Sequence, residues 1–151
     1  MIELTVAGLR LDDETPILLL RERDGDRLLP IWISSMDGAA IAVALEGETF
    51  PRPLTQDLLA TTLELLSGKD DEPVLTITGA EEGVFIAEIR AGRHVIDARP
   101  SDAVAVAVRR NWLLQCPAAL MDTVGVPISE NVPDQVELFR EFLDQVQPED
   151  F

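Results

Sequence analysis

The sequence predicts an α+β fold: a single domain in which an antiparallel or mixed β-sheet packs against helices, with a C-terminal amphipathic helix. First, 151 residues fit one domain, and no linker is long enough to divide the chain. Second, strand and helix patterns are mixed, without the strict alternation that predicts a parallel sheet. Third, Asp24-Gly25 and Glu81-Glu82-Gly83 are hairpin signals in different parts of the chain. Closure of the sheet into a barrel is an open alternative.

Composition and cysteine usage bound the class of protein. Hydrophobic residues make up 46% of the chain and aromatic residues only 5%, which predicts a core of aliphatic side chains. Cys116 is the single cysteine, so an internal disulfide is excluded and a reducing compartment, the cytoplasm, is expected. No apolar stretch reaches the length needed to cross a bilayer, so no membrane partner is expected.

The charge is strongly acidic, with a formal net charge of -16 and Lys69 as the one lysine. Such a chain repels a phosphate backbone at long range, which excludes a broad basic footprint for nucleic acid. A local arginine site that holds one phosphate is still compatible with this composition.

Three strands are predicted in the first 33 residues. Alternating Ile2, Leu4 and Val6 indicate a strand over residues 2–11. Residues 16–22 are too continuously apolar for a strand with one wet face, so cover on both faces is expected. The third strand covers residues 27–33, and Pro30 within it predicts a sheet edge or a bulge.

Two helices follow. The first covers residues 36–46 after a cap at Ser34-Ser35, and Gly47 ends it. The second begins with Thr55 as its cap and ends at Ser67-Gly68. Strands are then predicted over residues 74–78, 84–89 and 94–98.

The stretch after Ser101 is ambiguous between strand and helix. Its valines alternate with alanines, as in a strand, while the alanines and a cap at Ser101 favour a helix, which is the preferred interpretation. A short strand at 113–116 and a short helix at 117–124 complete a domain of residues 1–128. Residues 129–151 form a predicted helical extension packed on the same domain, with an amphipathic helix at 133–146.

Residues 95–103 are the best place on the chain to look for chemistry. Asp97 ends an apolar strand, Pro100 stiffens the turn after Arg99, and Ser101 and Asp102 open the next segment. Two carboxylates, a guanidinium and a hydroxyl therefore lie within six positions. The same residues also make an ordinary strand-to-helix junction.

Three segments together resemble the bifunctional nuclease (BFN domain) family. They are Leu29-Pro30-Ile31-Trp32-Ile33, Pro51-Arg52-Pro53-Leu54-Thr55-Gln56-Asp57-Leu58-Leu59 and Ile96-Asp97-Ala98-Arg99-Pro100-Ser101-Asp102-Ala103. The resemblance covers about four-fifths of the chain. It implies an α+β domain that associates with itself and hydrolyses DNA and RNA. Two positions differ from the family pattern: Gln56 stands where a histidine is usual, and Asp37 where a glutamate is usual.

A nuclease site is predicted from five residues. Asp97, Asp102 and Asp57 are the candidate ligands of Mg²⁺ or Mn²⁺, since carboxylates that hold such an ion can activate water and neutralise charge on a phosphate. Arg99 and Arg52 are the candidates to bind phosphate oxygens. Gln56 cannot act as a general base near neutral pH, so a role of the usual histidine in catalysis does not transfer to this chain.

The competing interpretation is structural and is preferred from the sequence, because ion pairs between these arginines and acids would imitate a site. The corresponding function is a non-catalytic oligomeric module on the same fold, which binds or regulates a protein partner through an exposed apolar face. Asp37 and Glu46 are interpreted as solvated helix residues, and His94 as a surface residue. Trp32 is assigned to the core or to a subunit interface rather than to base stacking.

Overall fold

Residues 1–128 fold as one α+β domain on an eight-stranded sheet, which confirms the predicted α+β class and the mixed alternative for the sheet. The structure, a computed structural model, describes residues 1–128. The strands are β1 (Ile2–Asp12), β2 (Thr15–Glu22), β3 (Arg27–Trp32), β4 (Val74–Glu81), β5 (Val84–Ala91), β6 (His94–Ala98), β7 (Leu114–Cys116) and β8 (Val126–Pro127). The helices are α1 (Ser35–Leu45), α2 (Thr55–Ser67), α3 (Pro100–Arg110) and α4 (Ala118–Val124). The stretch after Ser101 is helical, which confirms the preferred interpretation.

The strand order is β6-β5-β4-β7-β1-β2-β3-β8, and every neighbouring pair is antiparallel except β4–β7. The alternative of a closed barrel is wrong, because β6 and β8 end the sheet without pairing with each other. β1 joins two halves of the sheet, one formed by β4 to β7 and the other by β2, β3 and β8. Ile2 and Glu3 pair with β7, residues 4–12 pair with β2, and a bulge between Val6 and Gly8 shifts that second register.

Tight turns fix two of the hairpins. Asp13 and Glu14, at φ 47° and 71°, connect the paired residues Asp12 and Thr15. Two-residue loops with both central φ angles positive match the twist of the strands that they join. The β4–β5 turn has the same form at Glu82-Gly83, with φ 51° and 80°.

Two predicted helix caps are wrong by one or two residues. α2 is capped at Leu54 rather than Thr55, because the Asp57 carboxylate already accepts the Leu54 N–H at 2.8 Å. α3 is capped at Arg99 rather than Ser101, because Pro100 fits the first helical position: it has no N–H to satisfy there and a fixed φ.

The core lies between the sheet and the pair α1 and α3. Six consecutive residues of α1, Gly38 to Val43, are buried, so this helix is covered all round. α3 contributes buried alanines and valines that pack against α1, α2 and β5. The core is almost entirely aliphatic, as the composition predicted. Small side chains let these helices lie close together, which brings their N-termini to one place.

The two edges of the sheet differ. Pro30 lies in β3 opposite Leu19, and β8 pairs with β3 at Arg27 and Leu28, so within the described residues Pro30 stands at a sheet edge as predicted. The other edge of the described sheet is β6, which pairs within residues 1–128 with β5 alone. The helix predicted at 133–146, and with it the extension 129–151, lies outside the described residues. Among residues 1–128 no helix is both long and apolar enough to span a bilayer.

Candidate functional site

The N-termini of α1 and α3 meet around the carboxylate of Asp37. Ser34 caps α1: its Oγ accepts the Asp37 N–H at 3.1 Å and donates to Asp37 Oδ2 at 2.8 Å. Ser101, in the first turn of α3, donates from its hydroxyl to the same Oδ2 at 3.4 Å. The positive ends of both helices therefore stabilise a negative charge at this position.

Arg99 lies between two carboxylates and binds each of them through two contacts. Its Nε and Nη2 donate to Asp102 Oδ2 and Oδ1 at 2.9 and 2.8 Å. Its Nη1 and Nη2 donate to Asp37 Oδ2 and Oδ1 at 2.9 and 3.2 Å. Such paired contacts fix the plane of the guanidinium as well as its position. We call Asp37, Arg99, Ser101 and Asp102 the Arg99 cluster.

The guanidinium of the Arg99 cluster is charged and accessible to solvent. The hydrogen bond to Asp102 and the charge of Asp37 raise the pKa of Arg99 above its usual range, so it is charged at every relevant pH. The Arg99 side chain is 63% exposed, whereas that of Asp37 is 14% exposed. The guanidinium thus faces solvent while the acids behind it hold it in place.

An open cleft with a volume of ≈ 410 Å³ lies beside the Arg99 cluster. Ser34, Asp37, Arg99 and Ser101 form its polar part. Its apolar part comes from the end of β3 and from the β4–β5 hairpin: Ile31, Trp32, Ile33, Val84 and Phe85. Trp32 is 58% exposed, so its assignment to the core is wrong, while a subunit interface stays a prediction.

The structure brings together only Arg99 and Asp102 among the five predicted site residues. Asp57 lies with Arg109, whose Nε donates to it at 2.9 Å. Arg109 follows Asp102 by seven residues, which is about 10 Å along the axis of α3. Arg52 is exposed in the loop before α2 and forms no ion pair within residues 1–128. Asp97 is exposed on β6, opposite Glu88.

The predicted metal ligands Asp97, Asp102 and Asp57 do not form one cluster. Within residues 1–128, no three acidic, histidine or cysteine side chains lie together as a metal ion would require. Two carboxylates do converge, because Asp37 and Asp102 bind the same guanidinium. All four oxygens of this pair accept hydrogen bonds from Arg99, whereas Mg²⁺ sites combine one or two carboxylates with water and phosphate oxygens.

Sequence reasoning missed Asp37, which it assigned to a solvated helix face. A signal was present: Ser34 and Asp37 have the spacing of a capping box, in which the acid turns back towards the start of the helix. The contact from Asp37 to Arg99 spans 62 positions and has no local signal. The exposure of Trp32 was not predicted, because its neighbours in sequence are apolar and this pattern is typical of a buried strand.

Comparison with known proteins gives two findings. A family model described as the bifunctional nuclease domain matches residues 18–129. Two proteins of Mycobacterium tuberculosis, from strains CDC 1551 / Oshkosh and ATCC 25618 / H37Rv, are each 39% identical over 163 aligned positions. Each alignment covers 100% of this chain and 98% of the relative, and both relatives are described as uncharacterized. The match over residues 18–129 includes the whole Arg99 cluster and its cleft, and the chain belongs to the bifunctional nuclease domain family.

Proposed function

We propose that this protein is a nuclease that hydrolyses phosphodiester bonds of DNA or RNA at the Arg99 cluster. The observation that carries the proposal is the exposed guanidinium of Arg99, fixed by Asp37 and Asp102 at the mouth of an open cleft. Membership of the bifunctional nuclease domain family supports the class of reaction.

The chemistry assigned to the cluster follows from its donors and acceptors. Arg99 uses four of its donor contacts on carboxylates and keeps one Nη1 hydrogen for a phosphate oxygen. Asp37, oriented by Ser34 and Arg99, is the group that accepts a proton from the attacking water. The water oxygen then bonds to phosphorus as the bond to the leaving oxygen breaks, and the leaving oxygen takes up a proton from solvent water.

A divalent cation, Mg²⁺ or Mn²⁺, is part of the proposal. Asp37 and Asp102 are the residues that would hold it, together with oxygens of the bound phosphate. When bound, the cation supplies positive charge that offsets the repulsion between the phosphate and a chain of net charge -16. Asp97, Asp57 and Arg52 stay predicted site residues, and Asp97 and Asp57 enter the test below.

Trp32 is proposed as the surface on which a base of the substrate stacks. Its ring is more than half exposed in the cleft that also contains Arg99. Stacking on an aromatic ring is tolerant of base identity, because every base has a flat face. Such a contact suits an enzyme that acts on both DNA and RNA.

The second candidate is a non-catalytic module that binds a protein partner or another copy of the chain. It is supported by a second arginine held in the same way: Arg27 donates to Glu22 through Nε and Nη2 at 3.0 and 2.9 Å and to Asp122 at 2.6 Å. Arg27 lies outside the cleft beside Arg99. An arginine between two acids therefore also occurs in this chain where only a structural role is assigned.

The test compares these two arginines. Labelled single-stranded DNA and RNA are incubated with the purified chain in Mg²⁺, in Mn²⁺ and in a chelator. Asp37→Asn and Arg99→Lys are expected to lower the rate at least a hundredfold, because each removes a contact made to the reacting phosphate or water. The matched control Arg27→Lys is expected to keep the rate within about threefold, since its effect is on stability alone.

Three outcomes separate the alternatives. Equal loss in Arg99→Lys and Arg27→Lys contradicts a catalytic role for Arg99. Loss in Asp97→Asn or Asp57→Asn, with Asp37→Asn fully active, moves the site to the residues predicted from the sequence. Absence of cleavage under all ionic conditions, with the fold intact by circular dichroism, favours the non-catalytic module.

A further inference from the structure

β6 is an edge strand with unusual exposure. It pairs with β5 on one side, and no strand within residues 1–128 pairs with its other side. Four of its five residues are exposed, including Val95 at 65% and Ile96 at 36%. An open edge with exposed apolar residues is a template for pairing with another strand, and proteins usually protect such edges with lysine, proline or a bulge. β6 contains none of these.

The hairpin geometry identifies the backbone groups that face outward from β6. Ala91 and His94 close a two-residue loop, so they form a hydrogen-bonded pair in which the His94 backbone points to β5. Because the direction alternates along a strand, Ile96 and Ala98 also point to β5. The N–H and C=O groups of Val95 and Asp97 therefore point outward, towards the open edge.

Charge is uncompensated along the same edge. Arg93 is the second residue of the turn before β6, and Asp97 lies near the end of β6 on the same face as Val95. Neither charge forms an ion pair within the described part of the chain. Asp97 also lies directly opposite Glu88 of β5, and like charges in this arrangement destabilise a sheet.

We propose that β6 pairs antiparallel with β6 of a second copy of this chain, about a two-fold axis through Val95. In that register Val95 lies opposite the partner's Val95, and Arg93 lies opposite the partner's Asp97. The contact occurs twice because a two-fold interface is self-complementary. Each Asp97 then gains a cation beside the repulsion from Glu88, and the outward backbone groups of Val95 gain partners.

The backbone restricts the registers that compete with this one. Only residues with outward-pointing groups can exchange hydrogen bonds, so Val95 pairs with the partner's Val95 or with the partner's Asp97. The second register places a valine against a carboxylate and leaves Arg93 without an opposing acid. Charge complementarity therefore selects the register centred on Val95.

The experiment uses charge reversal and reads the oligomeric state of the full chain by sedimentation velocity over a range of concentrations. Arg93→Asp and Asp97→Arg are each expected to weaken the dimer at least tenfold, because each places like charges in contact twice. The double variant R93D/D97R restores opposite charges and is expected to recover dimerisation to within about threefold. Glu81→Arg, an equal charge change on another hairpin, is the control and is expected to have no effect.

Val95→Lys tests the same contact without changing either charged partner. Lysine on an exposed edge is tolerated by the monomer and opposes strand pairing, so a folded monomer is expected. Monomer at all concentrations in the unmodified chain overturns the proposal. So does a dimer that survives both single reversals, or a double variant as weak as the singles. Far-ultraviolet circular dichroism confirms that each variant is folded before its association is interpreted.

Discussion

Two arginines of this protein are held between pairs of carboxylates, and their surroundings distinguish them. Arg99 faces an open cleft with Trp32, whereas Arg27 links the ends of β2 and β3 to α4 through Glu22 and Asp122. Hydrogen bonds from Arg27 lower the pKa of Glu22 below its usual range, since they stabilise the ionised carboxylate. The Arg27 contact is therefore a source of pH-dependent stability.

Acid is expected to weaken the fold partly through Glu22. A carboxylate with a lowered pKa in the folded state stabilises the fold above the unfolded pKa, near 4.5, and loses that effect as the pH falls through the folded pKa. Glu22→Gln is therefore expected to be less stable than the unmodified chain at pH 7 and closer to it at pH 3, measured by urea unfolding. Glu81→Gln is the control. A constant difference across this pH range contradicts the assignment.

The prediction at the scale of single residues was incomplete for physical reasons. The contact between Arg99 and Asp102 was predictable because these residues are close in sequence and both follow a strand. Asp37 was missed because its partner Arg99 is brought to it only when α1 and α3 pack. Asp57 was assigned to the same site as Asp102, but Arg109 holds it about two helical turns away.

At the scale of elements, the turn at Gly92 packs the β5–β6 hairpin against the end of α2. Gly92 has φ 60°, and a Cβ added there would lie 2.8 Å from the backbone oxygen of Leu66. Gly47, at the end of α1, has a similar φ of 69° but no atom within 4 Å of an added Cβ. Alanine substitution at these two glycines therefore separates the effect of backbone strain, which both share, from that of a steric clash, which only Gly92 has.

Gly92→Ala is expected to destabilise the protein more than Gly47→Ala. The positive φ lowers the free energy of unfolding of both variants by about 1 kcal/mol. In Gly92→Ala the forced displacement of α2 lowers it by roughly 1–3 kcal/mol more. Urea unfolding of both variants measures the difference. Equal losses contradict a close contact between this turn and α2.

Most elements were predictable from the sequence, because apolar periodicity and turn residues are local signals. The strands of residues 2–11 and 94–98 and the helix after Gln56 occur close to where the pattern placed them. Helix starts were less predictable, because Leu54 and Arg99 act as caps through backbone geometry rather than through their own side chains. The barrel alternative failed because closure depends on which strands meet, and hairpin signals specify only neighbours in sequence.

At the scale of the whole molecule, Cys116 lies at the centre of the sheet, where β7 pairs with β1 at Ile2. Burial raises the pKa of its thiol, and the side chain is inaccessible to solvent. Reaction of this thiol with a reagent therefore requires the two halves of the sheet to separate. The single cysteine reports on opening of the whole domain.

Cys116 is expected to react at least about a thousandfold more slowly in the folded chain than in the unfolded chain, given the usual stability of a domain. Since the pKa is raised on folding, the neutral thiol contributes stability below pH 9 that is lost as the pH rises further. A thiol-reactive dye measures the rate. C116A/V126C, with its thiol at an exposed position, is the fast-reacting control.

The proline in β3 has a consequence for how far copies of this protein can assemble. Pro30 has no N–H to offer a neighbouring strand, and β8 covers the residues before it. In the proposed dimer each chain contributes one β6, so a sheet extended through β6 reaches its limit when two such strands have paired. Particles of finite size, rather than fibrils, are the products expected even in concentrated solution.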